Sequence, residues 1–150
     1  MANVFSVAKY ILESYPNGLT AMKLQKFVYY AQAWNLVWDE KPLFDSKLEA
    51  WRNGPVCPDL YFWHQGKFIV TPDEMLELKA KGHELDTDEK ETIDQVLLGY
   101  GEFTAQELSE LTHKEDPWKS ANRTCTDPEN CQAEITQDAM YYYYNGIRPE

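Results

Sequence analysis

The sequence predicts a mainly α protein: a compact single-domain helical bundle around a central buried helix, with a small short-strand element. Three observations predict it. Residues 20–38, TAMKLQKFVYYAQAWNLVW, contain no Gly and no Pro. Shorter stretches with helical apolar spacing flank this run on both sides in the chain. At 150 residues the chain has the size of one domain, taken here as residues 1–150. A domain of that size can bury about 68–70% of its unfolded surface, enough for a core without staples.

The central segment carries the strongest pattern. Thr20 sits where an N-cap belongs. Leu24, Phe27, Val28, Ala31, Trp34 and Trp38 fall in one stripe at i, i+3, i+4, i+7 spacing. Met22, Tyr29, Ala33 and Leu36 fall on the opposite side. A helix that is apolar on two sides is buried on two sides and needs neighbours on both. Gln25 and Gln32 lie between those faces. They are expected to satisfy backbone groups around an internal helix, with a grip on a ligand as the alternative.

The other elements follow in order. Residues 4–15 read as a first helix, with Asn3 as N-cap and Val4, Val7, Ala8, Ile11, Leu12 and Tyr15 on one face. Pro16-Asn17-Gly18 stops it, and the short connection predicts that the first two helices pack together. Residues 48–51 are expected to form a short strand. Arg52-Asn53-Gly54-Pro55-Val56-Cys57-Pro58 is a stiff corner, either packed or presented, and Pro58 opens a helix through residues 59–64. Residues 67–70 are expected to form another short strand. Thr71-Pro72-Asp73-Glu74 has the signals of a helix start, with a weak helix through 75–81. Residues 68–86 are expected to be peripheral. A helix is predicted over 88–98, ended by Gly99 and Gly101. Thr104-Ala105-Gln106-Glu107 is a capping box opening a short helix with Ala105, Leu108, Leu111 and Thr112 inward. Pro117 starts a short turn carrying Trp118, residues 123–130 form a loop, and 135–145 form a last helix capped by Thr136.

Composition narrows the function classes. The net charge of −11 argues against binding nucleic acid through phosphates, which needs a basic patch. It favours attraction to a basic partner. No apolar run is long enough for a membrane span, and the N-terminus MANVFSVAKY lacks a signal-peptide pattern, so a cytoplasmic protein is expected. Cys57, Cys125 and Cys131 are too few and too scattered for a disulfide framework. No G-x-S-x-G, Walker loop, dinucleotide fingerprint or H-E-x-x-H occurs. Cys125 and Cys131 have the wrong spacing for a zinc half-site. No metal and no cofactor is therefore expected. His113 beside Glu115 and Asp116, or Cys57 between Val56 and Pro58, would be the groups of a small hydrolase. A helix-end His and an inert buried Cys are the favoured readings of the two.

Three ordered motifs carry a family resemblance. Lys23-Leu24-Gln25-Lys26-Phe27-Val28-Tyr29-Tyr30-Ala31-Gln32-Ala33-Trp34 resembles the KLQKLLYYAQAW signature of the Panacea domain, also called the SocA-like antitoxin domain. Glu49-Ala50-Trp51, Gly54-Pro55-Val56, Pro58 and Tyr61 resemble its second motif. Val96-Leu97, Tyr100-Gly101, Glu107-Leu108-Ser109, Leu111-Thr112-His113, Glu115 and Pro117-Trp118 resemble its third. The motifs lie within residues 20–121. The resemblance implies an antitoxin of a toxin–antitoxin system, of a kind often found on prophages, that neutralises a cognate toxin protein by direct binding. It also implies an alternative, an adaptor that delivers the toxin to a bacterial AAA+ protease. Many such proteins carry an added DNA-binding segment, and nothing basic or helix-turn-helix-like of that kind stands in this chain. The expected partner is a basic toxin protein, the expected mode is non-enzymatic, and no DNA or membrane contact is expected. Rigid, proline-stiffened segments with aromatic or charged side chains make the expected contact surface: Arg52, Asn53 and Pro55 at the corner, His113, Glu115 and Trp118 at the turn, and Lys26 nearby.

Overall fold

The computed structural model describes residues 2–75 and 84–148. Helix α1 spans Val4–Glu13, and Asn3 caps it by accepting a hydrogen bond from the Ser6 amide at 2.9 Å. A two-residue strand β1, Leu19–Thr20, leads into the long helix α2, Ala21–Trp38. The Thr20 hydroxyl accepts from the Lys23 amide at 3.1 Å, as the cap position predicts. Every residue from Leu24 to Val37 is buried, so α2 is enclosed all round rather than on two faces alone. It packs against α1, and against the helices α5 (Thr87–Tyr100), α6 (Ala105–Lys114) and α8 (Gln137–Ile147). One member of the expected stripe departs from it. Trp38 is 42% exposed, because it ends the helix, and it stacks on Trp34 at 5.1 Å.

Two small sheets complete the fold. Strands β2 (Leu48–Trp51) and β3 (Gly54–Val56) form an antiparallel hairpin, and β5 (Glu134–Ile135) pairs with the other side of β2. The order β3-β2-β5 leaves β3 at an edge, which is where a strand tolerates Pro55. Strand β4, Ile69–Val70, pairs with β1, and the Phe68 carbonyl accepts from the Ala21 amide at 2.9 Å. Residues 68–75 are therefore built into the fold rather than peripheral: Val70 and Met75 are core residues. Their burial was not visible in the sequence because it depends on a partner strand about fifty positions earlier in the chain. Helix α3 spans Pro58–His64 and α4 spans Pro72–Met75. Most of the weak helix expected over 75–81 lies outside the described residues.

Helix α5 starts one residue earlier than expected, because Asp86 and Glu89 form a capping box. It also runs through Gly99, and Gly101 closes it by donating to the Leu97 carbonyl at 2.9 Å. The capping box of Thr104 and Glu107 opens α6 as predicted. The turn expected at Pro117 is a full helix, α7, Asp116–Arg123. Cys125 and Cys131 are joined in a disulfide, a single local bridge although the cysteines are too few and too scattered for a disulfide framework. A local cause brings them together. Asp127 accepts from the Glu129 amide and from the Asn130 side chain, closing a 3-10 turn over Pro128–Asn130. Among the described residues no helix is long and apolar enough to cross a membrane.

Candidate functional site

The sequence makes α2 an internal helix with polar residues, and those residues decide what surrounds it. Gln25 is 1% exposed. Its Oε1 accepts from the Cys57 amide at 2.8 Å, and its Nε2 donates to the Cys57 carbonyl at 3.2 Å and to His64 Nε2 at 3.0 Å. The ring nitrogen that accepts is unprotonated, so His64 is neutral in this arrangement. Burial pushes the His64 pKa down, and the Lys67 and Lys26 charges push the same way. Gln32 does the same work at the other end. Its Oε1 accepts from the Leu43 amide at 2.7 Å and its Nε2 donates to the Phe44 carbonyl at 2.9 Å. Both glutamines thus hold passing backbone, as the buried-helix reading expects.

Lys26 is also internal, 1% exposed, and its Nζ donates to the Pro55 carbonyl at 3.2 Å. Gly54 makes room for it. A Cβ at Gly54 would lie 2.5 Å from Lys26 Cε, and its φ of +117° is strained for any side chain. Desolvation lowers the Lys26 pKa to about 7. The stiff corner is thus packed at Gly54, Pro55 and Val56, yet its tip, Arg52 and Asn53, is exposed.

Helices α6 and α7 pin that tip. Ser109 Oγ donates to the Asn53 carbonyl at 2.6 Å. Trp118 Nε1 donates to the Trp51 carbonyl at 2.8 Å, and Asn122 donates to the Ala50 carbonyl at 3.2 Å. His113 stacks on Trp118 with ring centroids 3.9 Å apart. Its Nε2 is buried without a partner. Burial lowers the His113 pKa, with the Lys26 charge adding to it.

Beside the tip lies a cleft of about 530 Å³, walled by the start of α2, the hairpin tip, α3 with residues 65–67, and residues 129–132. Trp51 and Tyr61 meet edge to face at 4.8 Å and line it together. Among the described residues, no group of three or more His, Cys, Asp or Glu is placed to hold a metal ion. Cys57 is fully buried and its thiol is pushed up to about 11, chiefly by desolvation, so it is protonated at neutral pH and is a poor nucleophile.

The family model described as "Antitoxin SocA-like, Panacea domain" matches residues 24–119. The chain belongs to the SocA-like antitoxin family. "Antitoxin SocA" of Caulobacter vibrioides (strain NA1000 / CB15N) is 32% identical over 109 residues, covering 67% of this chain and 58% of that protein. The chain therefore spans less than two thirds of that relative's length. No solved structure matches it.

The Panacea motifs thus mark one connected region. The first motif supplies Gln25, Lys26 and Gln32 on α2, the second supplies the hairpin, and the third supplies the helices that pin it. The expected surface residues divide. Arg52 and Asn53 are exposed, and Trp118 and His113 are half-buried beside them. Lys26 and Pro55 are interior supports of the corner. Glu115 turns inward at 6% exposure, where its Oε1 accepts from the Tyr30 and Tyr144 hydroxyls at 2.7 and 2.8 Å. Burial raises the Glu115 pKa, and those two hydrogen bonds oppose the rise. A turn polar in sequence is inward here because two tyrosines from distant helices need an acceptor. His64, Gln65 and Lys67 of the cleft wall were not anticipated. Only Tyr61, in the second motif, gave a signal there.

The Lys26 environment predicts a pH dependence. Its folded pKa lies below the unfolded value of 10.5, so between about pH 7 and that value the unfolded chain binds more protons. Stability from this group must then rise with pH across that window. His64 and His113, the titratable neighbours, are both pushed down from 6.5, so they change charge below it. The difference in unfolding free energy between wild type and Lys26→Met should therefore grow in favour of wild type from pH 7 to 10. Urea unfolding at several pH values measures it, and a flat difference would show that Lys26 is not desolvated.

Proposed function

We propose that this chain neutralises a cognate toxin protein by direct, non-catalytic contact. The observation that carries the reading is the extent of the family match. Residues 24–119 include the hairpin, most of the cleft wall and the His113–Trp118 contact, so the part shared with known antitoxins is also the part that builds the presented surface. Arg52 and Asn53 at the tip are the direct contacts. Trp118 and His113 hold the tip, Lys26 and Pro55 support it from inside, and Glu115 ties α2 to α8 through Tyr30 and Tyr144. A tip held by three hydrogen bonds from α6 and α7 loses little entropy on binding. The charge of −11 steers a basic partner over distance, chiefly through the association rate.

The test is co-expression with the toxin encoded beside it, followed by co-purification at low and high salt. The expected result is rescue of growth with a stable complex whose association slows as salt rises. Rescue without a complex, and lost in a host lacking its AAA+ proteases, would replace direct neutralisation by the adaptor role. No rescue would remove the antitoxin reading of this chain.

A further inference from the structure

We propose that Cys125 and Cys131 form a thiol–disulfide exchange site, and that a dithiol reductant opening it releases a clamp on strand β2 and weakens partner binding. The effect on binding rests on the antitoxin reading, whereas the exchange chemistry does not. The family match ends at residue 119, so the pair lies outside the matched part of the chain. In the cytoplasm expected for this chain, disulfides are transient, catalytic or redox-sensing rather than permanent.

Position is the first argument. The bond joins the residue two past the end of α7 to the residue three before β5. From Cys131 the chain runs straight into the sheet. The Ala50 amide donates to the Ala133 carbonyl at 2.8 Å, and β5 pairs with β2 at Leu48 and Glu49. Asn122 sits inside the same closure, donating to the Ala50 and Pro128 carbonyls at 3.2 and 3.4 Å. The disulfide therefore fixes the segment that closes β2 on the side away from β3. Two residues along β2 from Ala50 begins the exposed tip, Arg52 and Asn53.

The second argument is access. Cys131 is 3% exposed, whereas Cys125 is half-buried and followed by the exposed residues 126–130. An incoming thiolate thus attacks the Cys125 sulfur and expels Cys131 as thiolate, which takes up a proton. The reductant's second thiolate then attacks its own sulfur in the mixed disulfide and expels the Cys125 thiolate, which is protonated in turn. The protein S–S bond breaks and the reductant's S–S bond forms. Two electrons and two protons pass from the dithiol to the two cysteines. A monothiol completes this poorly, because Cys131, its Cα 5.6 Å from that of Cys125, attacks back and restores the bond. The reduced form has a place ready. Cys131 Sγ lies 3.9 Å from the Asn122 carbonyl oxygen, to which a thiol can donate and a disulfide sulfur cannot. The bond spans six positions, and short loops gain least from a crosslink, so opening it leaves the fold intact.

The experiment treats the oxidised full chain with dithiothreitol, or with 2-mercaptoethanol at equal thiol concentration, and then with iodoacetamide without denaturant. Intact mass should show two alkyl groups after dithiothreitol and few after the monothiol, with the fully buried Cys57 unlabelled. Hydrogen exchange at the Ala50 and Asn130 amides should quicken about ten-fold on reduction, as local opening becomes easier, while α2 amides stay protected. Toxin co-purified with the chain should bind the reduced form about ten-fold more weakly, since the surface must then be ordered on binding. The double variant Cys125→Ser/Cys131→Ser should match the reduced form without reductant. Should it fail to fold, the reduced and alkylated wild type decides alone. Alkylation only in denaturant would make the bond a structural staple and overturn the proposal, as would reduction with unchanged exchange at Ala50. Rescue with equal affinity in both redox states removes the regulation and leaves the antitoxin reading. No rescue by either form removes that reading and the effect on binding with it, and alkylation and exchange then decide the site.

Discussion

Phe27→Ala should cost about 3–5 kcal/mol of stability, the usual range for deleting a buried aromatic ring. Phe27 is fully buried on α2, and Tyr15 stacks on it with centroids 5.9 Å apart. Truncation removes the transfer free energy of the ring and leaves a cavity. The cavity closes poorly because α2 is enclosed on all sides by α1, α5, α6, α8 and the hairpin. In a chain of this size the melting temperature should fall by roughly 6–20 °C. Trp34→Ala belongs to the same class, with an added loss: Trp34 Nε1 donates to the Tyr100 hydroxyl at 2.9 Å, joining α2 to α5. Wild-type melts for both variants would mean that α2 is not the centre of the domain.

Gln32→Met should cost about 2–6 kcal/mol although it keeps the side chain's length and bulk. The loss is polar. Without the amide, the Leu43 N–H and the Phe44 carbonyl are left in the interior, where Leu43 and Phe44 are fully buried. Each orphaned group costs about 1–3 kcal/mol. Gln32→Glu separates shape from hydrogen bonding further, since a carboxylate accepts from the amide but repels the carbonyl. Chemical denaturation measures both. If Gln32→Met unfolds at the wild-type midpoint, water reaches residues 43–44 and the glutamine is not a structural clamp.

The sequence-level clues differ in kind. Caps at Asn3, Thr20, Thr104 and Thr136 are local: a hydroxyl or amide bonds to an amide three residues on, and all four form. The role of Gln25 and Gln32 followed from one further step, that polar residues on a doubly apolar helix must meet backbone inside. The Cys125–Cys131 disulfide was missed because its geometry depends on the turn between the two residues rather than on their number. Burial of Val70 was missed because its pairing strand, β1, lies far away in the chain. Glu115 read as exposed because its neighbours His113, Lys114 and Asp116 are polar.

By itself the sequence determined the helical class, the central position of α2 and the family, because each depends on periodicity, caps or ordered motifs within short stretches. Only the tertiary structure decided that Lys26 is internal beneath Gly54, that Glu115 faces Tyr30 and Tyr144, and that Arg52 and Asn53 stand exposed beside a cleft. The physical reason is that burial and hydrogen-bond pairing belong to contacts between residues far apart in the chain, such as Lys26 with Pro55 and Tyr30 with Glu115, and no local pattern encodes which side chains meet there.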